Sequence, residues 1–255
     1  MSRTLPSLLV FAFSILAVHL LYSGYIRPEA SLAIELARQA GQSSPRVLSV
    51  ILKDYEQEIC LILMVWGTFL ITSKCLVILK DRYLFEVDLL EGSESEDDNL
   101  TSVLHSFEEL PEKVRETPLV RILMASLRRF IITKDVQNTS DAIDSSVEVL
   151  AIRQEAENSL IRYLIWAIPS IGFIGTVRGI GQALSQADQA LAGDIAGMTD
   201  SLGVAFNSTL VALLISIFLM FLLHQLQRLQ DGLVVDTQSY CESFLLNRIS
   251  KVGRD

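Results

Sequence analysis

Apolar residues gather in four blocks, Leu5 to Ile26, Ile59 to Leu79, Leu160 to Leu184 and Leu202 to Leu223. Each is long enough to cross a bilayer as a helix, which takes about 20 residues. The polar stretches between them carry weaker helical patterns. Glu29 to Ala40 has helix-forming composition with Leu32 and Leu36 one turn apart, Gly41 stops it, and Pro45 opens a second short pattern. That pair is expected to rest on the membrane interface. Glu91 to Asp98 (EGSESEDD) reads as a solvated acidic linker. Helical patterns follow over Asn99 to Leu110 and Pro118 to Lys134, the latter with Leu119, Ile122, Leu123, Leu127, Phe130 and Ile131 on one face. Asn138, Thr139 and Ser140 offer capping oxygens for a third helix starting near Ser140. Without Gly or Pro before Pro169, that helix is expected to run into the third block, about 45 residues and 65 Å in all. Leu222, Leu226, Leu229, Leu233, Tyr240 and Phe244 continue the fourth block at roughly heptad spacing.

The expected architecture is all-α, a polytopic helical membrane protein with long helices extending into a cytoplasmic helical bundle. Its segments are a first transmembrane helix within 1–26, an external amphipathic loop 27–58 and a second transmembrane helix 59–79. A cytoplasmic helical region 80–159 with the acidic linker 91–98 leads to a third, pore helix 160–184. An external loop 185–201, a fourth, pore helix 202–223 and a cytoplasmic C-terminal helix 224–255 complete the chain. The orientation follows from the loops. Ser185 to Ser201 has no Lys or Arg and carries Asp188, Asp194 and Asp200, whereas Arg153, Arg162, Arg228, Arg248, Lys251 and Arg254 flank the far ends of the same helices. Basic residues collect inside, so both termini are expected in the cytoplasm.

The third and fourth blocks carry small residues in register. Gly172, Gly175, Thr176, Gly179 and Ala183 form one helical seam, and Ser201, Ala205, Ser208, Thr209, Ala212 and Ser216 form another. In lipid such seams allow close backbone approach, which substitutes for the hydrophobic effect. Thr176 and Thr209 fall at one depth, about 9 Å below the outer ends of their helices. Each hydroxyl can bond back to a carbonyl of its own preceding turn, or the two, with Asn207 and Ser208, can line a polar path. Neither seam contains Asp, Glu or His, so an ion passing here needs a titrating carboxylate from another chain. Arg178 either snorkels outward or pairs with Asp188 or Asp200. In the first two spans, Lys74 is expected to snorkel to the cytoplasmic interface, and His19 to be a hydrogen-bonded packing residue.

Composition agrees with this. Half of the chain is hydrophobic, mean hydropathy is +0.40, and the formal charge of −9 argues against a nucleic-acid surface. Met1-Ser2-Arg3 before an apolar core resembles a signal peptide, but no small-residue cleavage pattern follows and the apolar run is long, so a retained helix is expected. Cys60 and Cys75 lie at opposite ends of one predicted helix, too far apart for a disulfide, and Cys241 stands apart from both. His19, His105 and His224 are dispersed, so no metal or cofactor site is expected. No nucleophile–base pair marks the spans, so an enzyme is not expected.

Ile168-Pro-Ser-Ile-Gly-Phe-Ile-Gly-Thr-Val-Arg-Gly-Ile180 resembles the Pro-x-x-Gly-x-x-Gly-Thr-Val-x-Gly signature of the MotA/TolQ/ExbB proton channel family. Val204-Ala-Phe-Asn-Ser-Thr-Leu-Val-Ala-Leu213 resembles its second signature. The resemblance implies that Thr176 and Thr209 are paired pore threonines, with Ser208 and Asn207 beside them. Pro169 would mark the kink of the pore helix, and Gly172, Gly175, Gly179, Ala205 and Ala212 would be packing positions. It further implies a homo-oligomer, a pentamer, in the bacterial inner membrane around single-span partners of the MotB/TolR/ExbD type that bring the missing aspartate. H+ or Na+ is then the transported ion. The chain departs from the family in an extra amino-terminal span relative to three-span members, and in an external loop that four-span members do not usually show. A non-conducting membrane scaffold, whose cytoplasmic bundle recruits partners, is the competing reading.

Overall fold

A computed structural model of the chain describes residues 4–40, 44–87, 89, 97–193 and 195–246. Arg3, Gly41, Asp194, residues 91–96 of the acidic linker, and Arg248, Lys251 and Arg254 lie outside the described residues. Every regular element among those described is helical. Helix α1 (Thr4–Leu21) passes through a π-helical turn (Tyr22–Ile26) into α2 (Arg27–Gln39), and α3 (Leu48–Leu52) precedes α4 (Tyr55–Asp81), which ends in a 3-10 turn (Arg82–Phe85). Then follow α5 (Asp97–Glu109), α6 (Glu112–Arg115), α7 (Pro118–Thr133), α8 (Val136–Glu157) and α9 (Ser159–Ser185). The short α10 (Ala187–Leu191) and the long α11 (Ala196–Tyr240), closed by a π-helical turn (Cys241–Leu246), finish the chain. Four helical runs, Leu5–Gln39, Tyr55–Phe85, Val136–Ser185 and Ala196–Leu246, are long and apolar enough to cross a membrane. Two units form: Met1–Thr72 with Leu160–His224, and Ser73–Ser159 with Gln225–Asp255.

In the first unit the amino-terminal helix does not stop at Ile26, where the sequence suggested the start of a loop. The π-helical turn carries it through Ser23 and Gly24 into α2. Ser23 Oγ donates to the His19 carbonyl at 2.8 Å, and Arg27 lies over the Tyr55 ring with its guanidinium carbon 4.4 Å from the centroid. Arg27 also pairs with Glu58 of α4, so a single added residue in the helical turn aims a cation at a buried carboxylate. His19 is hydrogen-bonded as expected, its Nδ1 lying 2.8 Å from Glu58 Oε1, but its side chain is exposed rather than packed. Val18, Tyr22 and Ile26 are buried against Leu52, Leu61 and Ile62. Trp66 stacks near Phe11, centroids 4.5 Å apart, and donates from Nε1 to the Ser7 carbonyl at 3.2 Å. Leu5, Leu8, Leu9, Phe13, Leu16 and Leu20 are exposed, as are Phe206, Leu210, Leu213, Leu214, Ile217 and Phe221 of α11. Apolar faces of this extent suit lipid or a neighbouring subunit.

The second unit is built around α7. Leu119, Ile122, Leu123, Leu127 and Phe130 are buried as the helical period demands, joined by Val120 and Met124, while Ile131 is only partly covered. Leu100, Val103 and Phe107 of α5, Ile143 and Val147 of α8, and Tyr240, Cys241 and Leu245 close the core. Tyr240 ties a connecting segment to it, its hydroxyl donating to the Val87 carbonyl at 2.8 Å and accepting from the Leu89 N–H at 2.8 Å. Helix α5 opens on Asp97, two residues before the expected start.

Helix α8 starts four residues before the expected Ser140. The cap is Asp135, whose Oδ1 accepts from the Gln137 N–H at 2.8 Å and whose Oδ2 accepts from Asn138 Nδ2 at 2.5 Å, while Thr139 Oγ1 donates to the Asp135 carbonyl at 2.9 Å. The turn into it bends at Lys134, with φ of 52°, a left-handed conformation that terminates α7. Asn158 keeps near-helical angles between α8 and α9 (φ −86°, ψ −4°), so the run Val136–Ser185 counts 50 residues, longer than the sequence suggested. Asn158 Nδ2 donates to Gln230 Oε1 at 2.7 Å. Lys74 pairs with Glu157 at 3.2 Å, where the sequence had suggested an interfacial ammonium, and Arg153 reaches the same carboxylate at 3.1 Å.

Because Asp135 satisfies the first turn of α8 at the foot of the second unit's core, Asp135→Ala is expected to destabilise that unit by about 1 kcal/mol. Denaturant unfolding of the full chain followed by a probe on α8 measures this, and Asp135→Asn, which keeps the capping oxygen, should cost less.

Candidate functional site

The two small-residue seams face each other in the first unit. A Cβ placed on Gly172 would stand 2.5 Å from Ala212 Cβ and 3.0 Å from the Ser208 carbonyl oxygen, and one on Gly175 would stand 2.5 Å from Ser208 Cβ. On Gly179 it would meet backbone, 2.6 Å from Ala205 N and 2.7 Å from the Ser201 carbonyl oxygen. These are separations only glycine tolerates, so α9 and α11 touch main chain to main chain. Ala183, Ser201, Ala205, Ser208, Ala212 and Ser216 are all buried along the same contact.

Pro169 lies inside α9 and removes the N–H that would have reached the Ile165 carbonyl. That carbonyl is recovered across the seam, where Ser216 Oγ donates to it at 3.1 Å. Cys60 Sγ of α4 donates to the Ile168 carbonyl at 3.7 Å.

Thr176 and Thr209 meet at this contact and hydrogen-bond to each other through their hydroxyls. Thr176 Oγ1 also lies 3.0 Å from the Ala205 carbonyl and 3.4 Å from the carbonyl of Gly172 in its own preceding turn. Thr209 Oγ1 lies 3.3 Å from the Gly172 carbonyl of the opposite helix. Both readings of these hydroxyls therefore hold in part: Thr176 reaches back along α9, and the pair also bridges the two helices. Each threonine is only partly buried, so the polar pair is left accessible. Ser208 turns the other way, is buried, and accepts from Gln57 Nε2 of α4 at 3.3 Å. Asn207 is partly buried and is not among the donors and acceptors of this cluster.

Arg178 does not pair with Asp188 or Asp200, the partners the sequence offered. Its Nε and an Nη bond the two oxygens of Glu56, each at 2.8 Å, and the same Nη lies 3.4 Å from Asp54 Oδ1. The planar guanidinium matches a carboxylate in this two-pronged way, which makes the pair directional as well as strong. The seam is consequently not remote from acid. Glu56 Cγ stands 3.2 Å from where a Gly175 Cβ would be. Three residues that sequence reasoning left out of the site, Asp54 just before α4 and Glu56 and Gln57 in its first turn, reach Arg178 and Ser208 here, while Glu58 faces Arg27 and His19. Glu56, Gln57 and Glu58 are buried. Their position just before an apolar block was the available signal, because buried carboxylates at a membrane edge need cationic partners; who those partners are is set only by the fold. Acids in the first turn of α4 also oppose the positive end of its dipole. Outside the span, burial pushes the Asp54 carboxyl above its ordinary range, against the opposing pull of Lys53 and Arg178.

Gly179→Ala is expected to push α9 from α11 and cost about 1–3 kcal/mol, since the new methyl meets backbone that cannot rotate away. Gly181→Ala, with nothing within 4 Å of its Cβ, should instead stabilise by up to about 1 kcal/mol through helix propensity. Thermal unfolding of the two variants in detergent measures the contrast.

Comparison with known proteins agrees with this geometry. Residues 114–239, which hold α7, α8, α9, α10 and most of α11, match the family described as the MotA/TolQ/ExbB proton channel family. No curated protein and no solved structure gives a match to the chain. The family match is laid over two apolar helices that meet on glycine and carry a threonine pair, and over residues 114–239 this membrane protein is similar to the MotA/TolQ/ExbB proton channel family.

Proposed function

We propose that the chain is a ring-forming subunit of an ion-driven motor of the bacterial inner membrane. It works with a single-span partner whose aspartate carries H+ or Na+ past the Thr176–Thr209 pair. The observation that carries this reading is the pair itself, a partly accessible hydroxyl bridge on two adjoining apolar helices. A hydroxyl can accept an ion's charge and donate to a carboxylate, but it cannot titrate. Glu56 is held by both oxygens on Arg178. The titrating group at the threonines is then the partner's.

The same reading places both termini in the cytoplasm. The connection between α9 and α11 lacks Lys and Arg, which supports an external position. On that side Arg27 and Arg178, basic residues in the wrong compartment by simple counting, are neutralised by Glu58 and Glu56. A homo-oligomer, of five subunits by the family resemblance, would cover part of the exposed apolar faces of the first unit. The function is transport coupled to mechanical work, with no enzymatic step and no cofactor. In a non-conducting scaffold the seams would serve packing alone.

Thr176→Val with Thr209→Val tests the choice. Valine keeps the volume and removes the hydroxyls, so the double variant should assemble normally by size-exclusion chromatography while ion flux in the complex with its partner falls at least about tenfold, for the loss of about 1.4 kcal/mol or more of ion stabilisation. Full ion-dependent activity in that variant would overturn the role of the threonine pair in ion passage, and a wild-type complex that passes no ions would leave the scaffold reading.

A further inference from the structure

Tyr22 Oη, Ser49 Oγ, Asp54 Oδ2 and Gln57 Oε1 are buried without a hydrogen-bond partner in the first unit. All four belong to the π-helical turn, α3 and the start of α4, at one end of that unit. Natural proteins leave few such groups unsatisfied, and a concentration of them asks for a ligand or a proton. Gln57 is fully buried, and its Nε2 is committed to Ser208 while its carbonyl oxygen has no donor. Asp54 is also half satisfied, with Oδ1 on Arg178 and Oδ2 on nothing. Two of the four groups, Asp54 Oδ2 and Gln57 Oε1, are pure acceptors.

The charges facing Asp54 are Lys53 beside it in sequence, Arg178 of α9 and Glu56 of α4. Arg178 gives both its strong contacts to Glu56, so Asp54 has only its longer, single contact with the guanidinium. A proton on Oδ2 would remove a buried negative charge and turn an unpaired acceptor into a donor. We propose that Asp54 is a proton-holding carboxyl at the external end of the first unit, taking a proton from the outer solution and releasing it toward the Thr176–Thr209 pair. In that step external hydronium gives one proton to the carboxylate, and the carboxylic acid later returns it to the partner's carboxylate. The transported ion is accordingly H+. The inference rests on the channel reading above and adds to it a carboxylate of this chain that acts before the partner's. The raised position of the Asp54 carboxyl on burial agrees with it.

The test uses the full chain in lipid nanodiscs and, for flux, its complex with the partner. Asp54→Asn places an uncharged donor and acceptor where the protonated acid would be. For the wild type, a folded-state carboxyl raised above about 4, its unfolded value, stabilises the fold below that pH, and the contribution is lost as pH rises through the folded value. Melting temperature should therefore fall over that window in the wild type, and the Asp54→Asn profile should lack that component. Infrared spectra over the same titration should contain a protonated-carboxyl band that Asp54→Asn removes, unchanged when Na+ replaces choline. In the complex, Asp54→Asn should reduce proton flux about 100-fold, the lower range for loss of a positioned proton-transfer group. Superimposable titrations, or a band displaced by Na+ at constant pH, would overturn the proton assignment, and wild-type flux in Asp54→Asn would overturn the uptake role. The titration needs no flux, so it succeeds or fails separately from the threonine double variant.

Discussion

Gly172, Gly175 and Gly179 let the main chain of α9 lie against that of α11, and the polar groups of the site take their places from that contact. At ordinary interhelical distances two threonine hydroxyls could not reach across to each other and to opposite-helix carbonyls at once. With glycine on the seam, Thr176 approaches the Ala205 carbonyl and Thr209 approaches that of Gly172. The same closeness lets Ser216 satisfy the carbonyl that Pro169 leaves free, so a proline can sit in the middle of a membrane helix without an orphaned acceptor.

A second constraint works at the start of α4. Carboxylates taken out of water need cations, and Glu56 and Glu58, two positions apart on a helix, point to different neighbours. Glu56 captures Arg178 of α9, and Glu58 captures Arg27 of α2 with His19 of α1. The amino-terminal helices and α9 are thereby fastened to one short segment. Buried pairs of this kind add little net stability over apolar packing but are costly to break, so their contribution is to geometry. Arg178 stands two positions beyond Thr176, and fixing one end of that turn limits how far the hydroxyl can wander.

The second unit obeys ordinary aqueous rules. Its core rests on α7, the capping is done by an aspartate, and its one left-handed non-glycine residue among those described, Lys134, turns the chain from α7 to α8. The family match, residues 114–239, extends over α7 and α8 of this unit as well as over α9 and most of α11.

Four helices long and apolar enough to span a membrane, the two seams and the apolar face of α7 were all legible in the sequence, because helical period and lipid solvation act on residues near one another in the chain. The family, too, could be read from two short motifs. The start of α8 was misplaced by four residues because a strong local cap at Asp135 outweighed the cluster of capping residues after it. What the sequence could not decide were pairings over long separations. Arg178 chose Glu56 over Asp188 or Asp200, Lys74 found Glu157, and the amino-terminal helix continued past Ser23 because Arg27 had a carboxylate to reach. Charges select partners by distance after packing, and a sequence carries the charges but not the distances. Only the tertiary structure could bring Asp54, Glu56 and Gln57 to a seam that, in sequence, contains no acid at all.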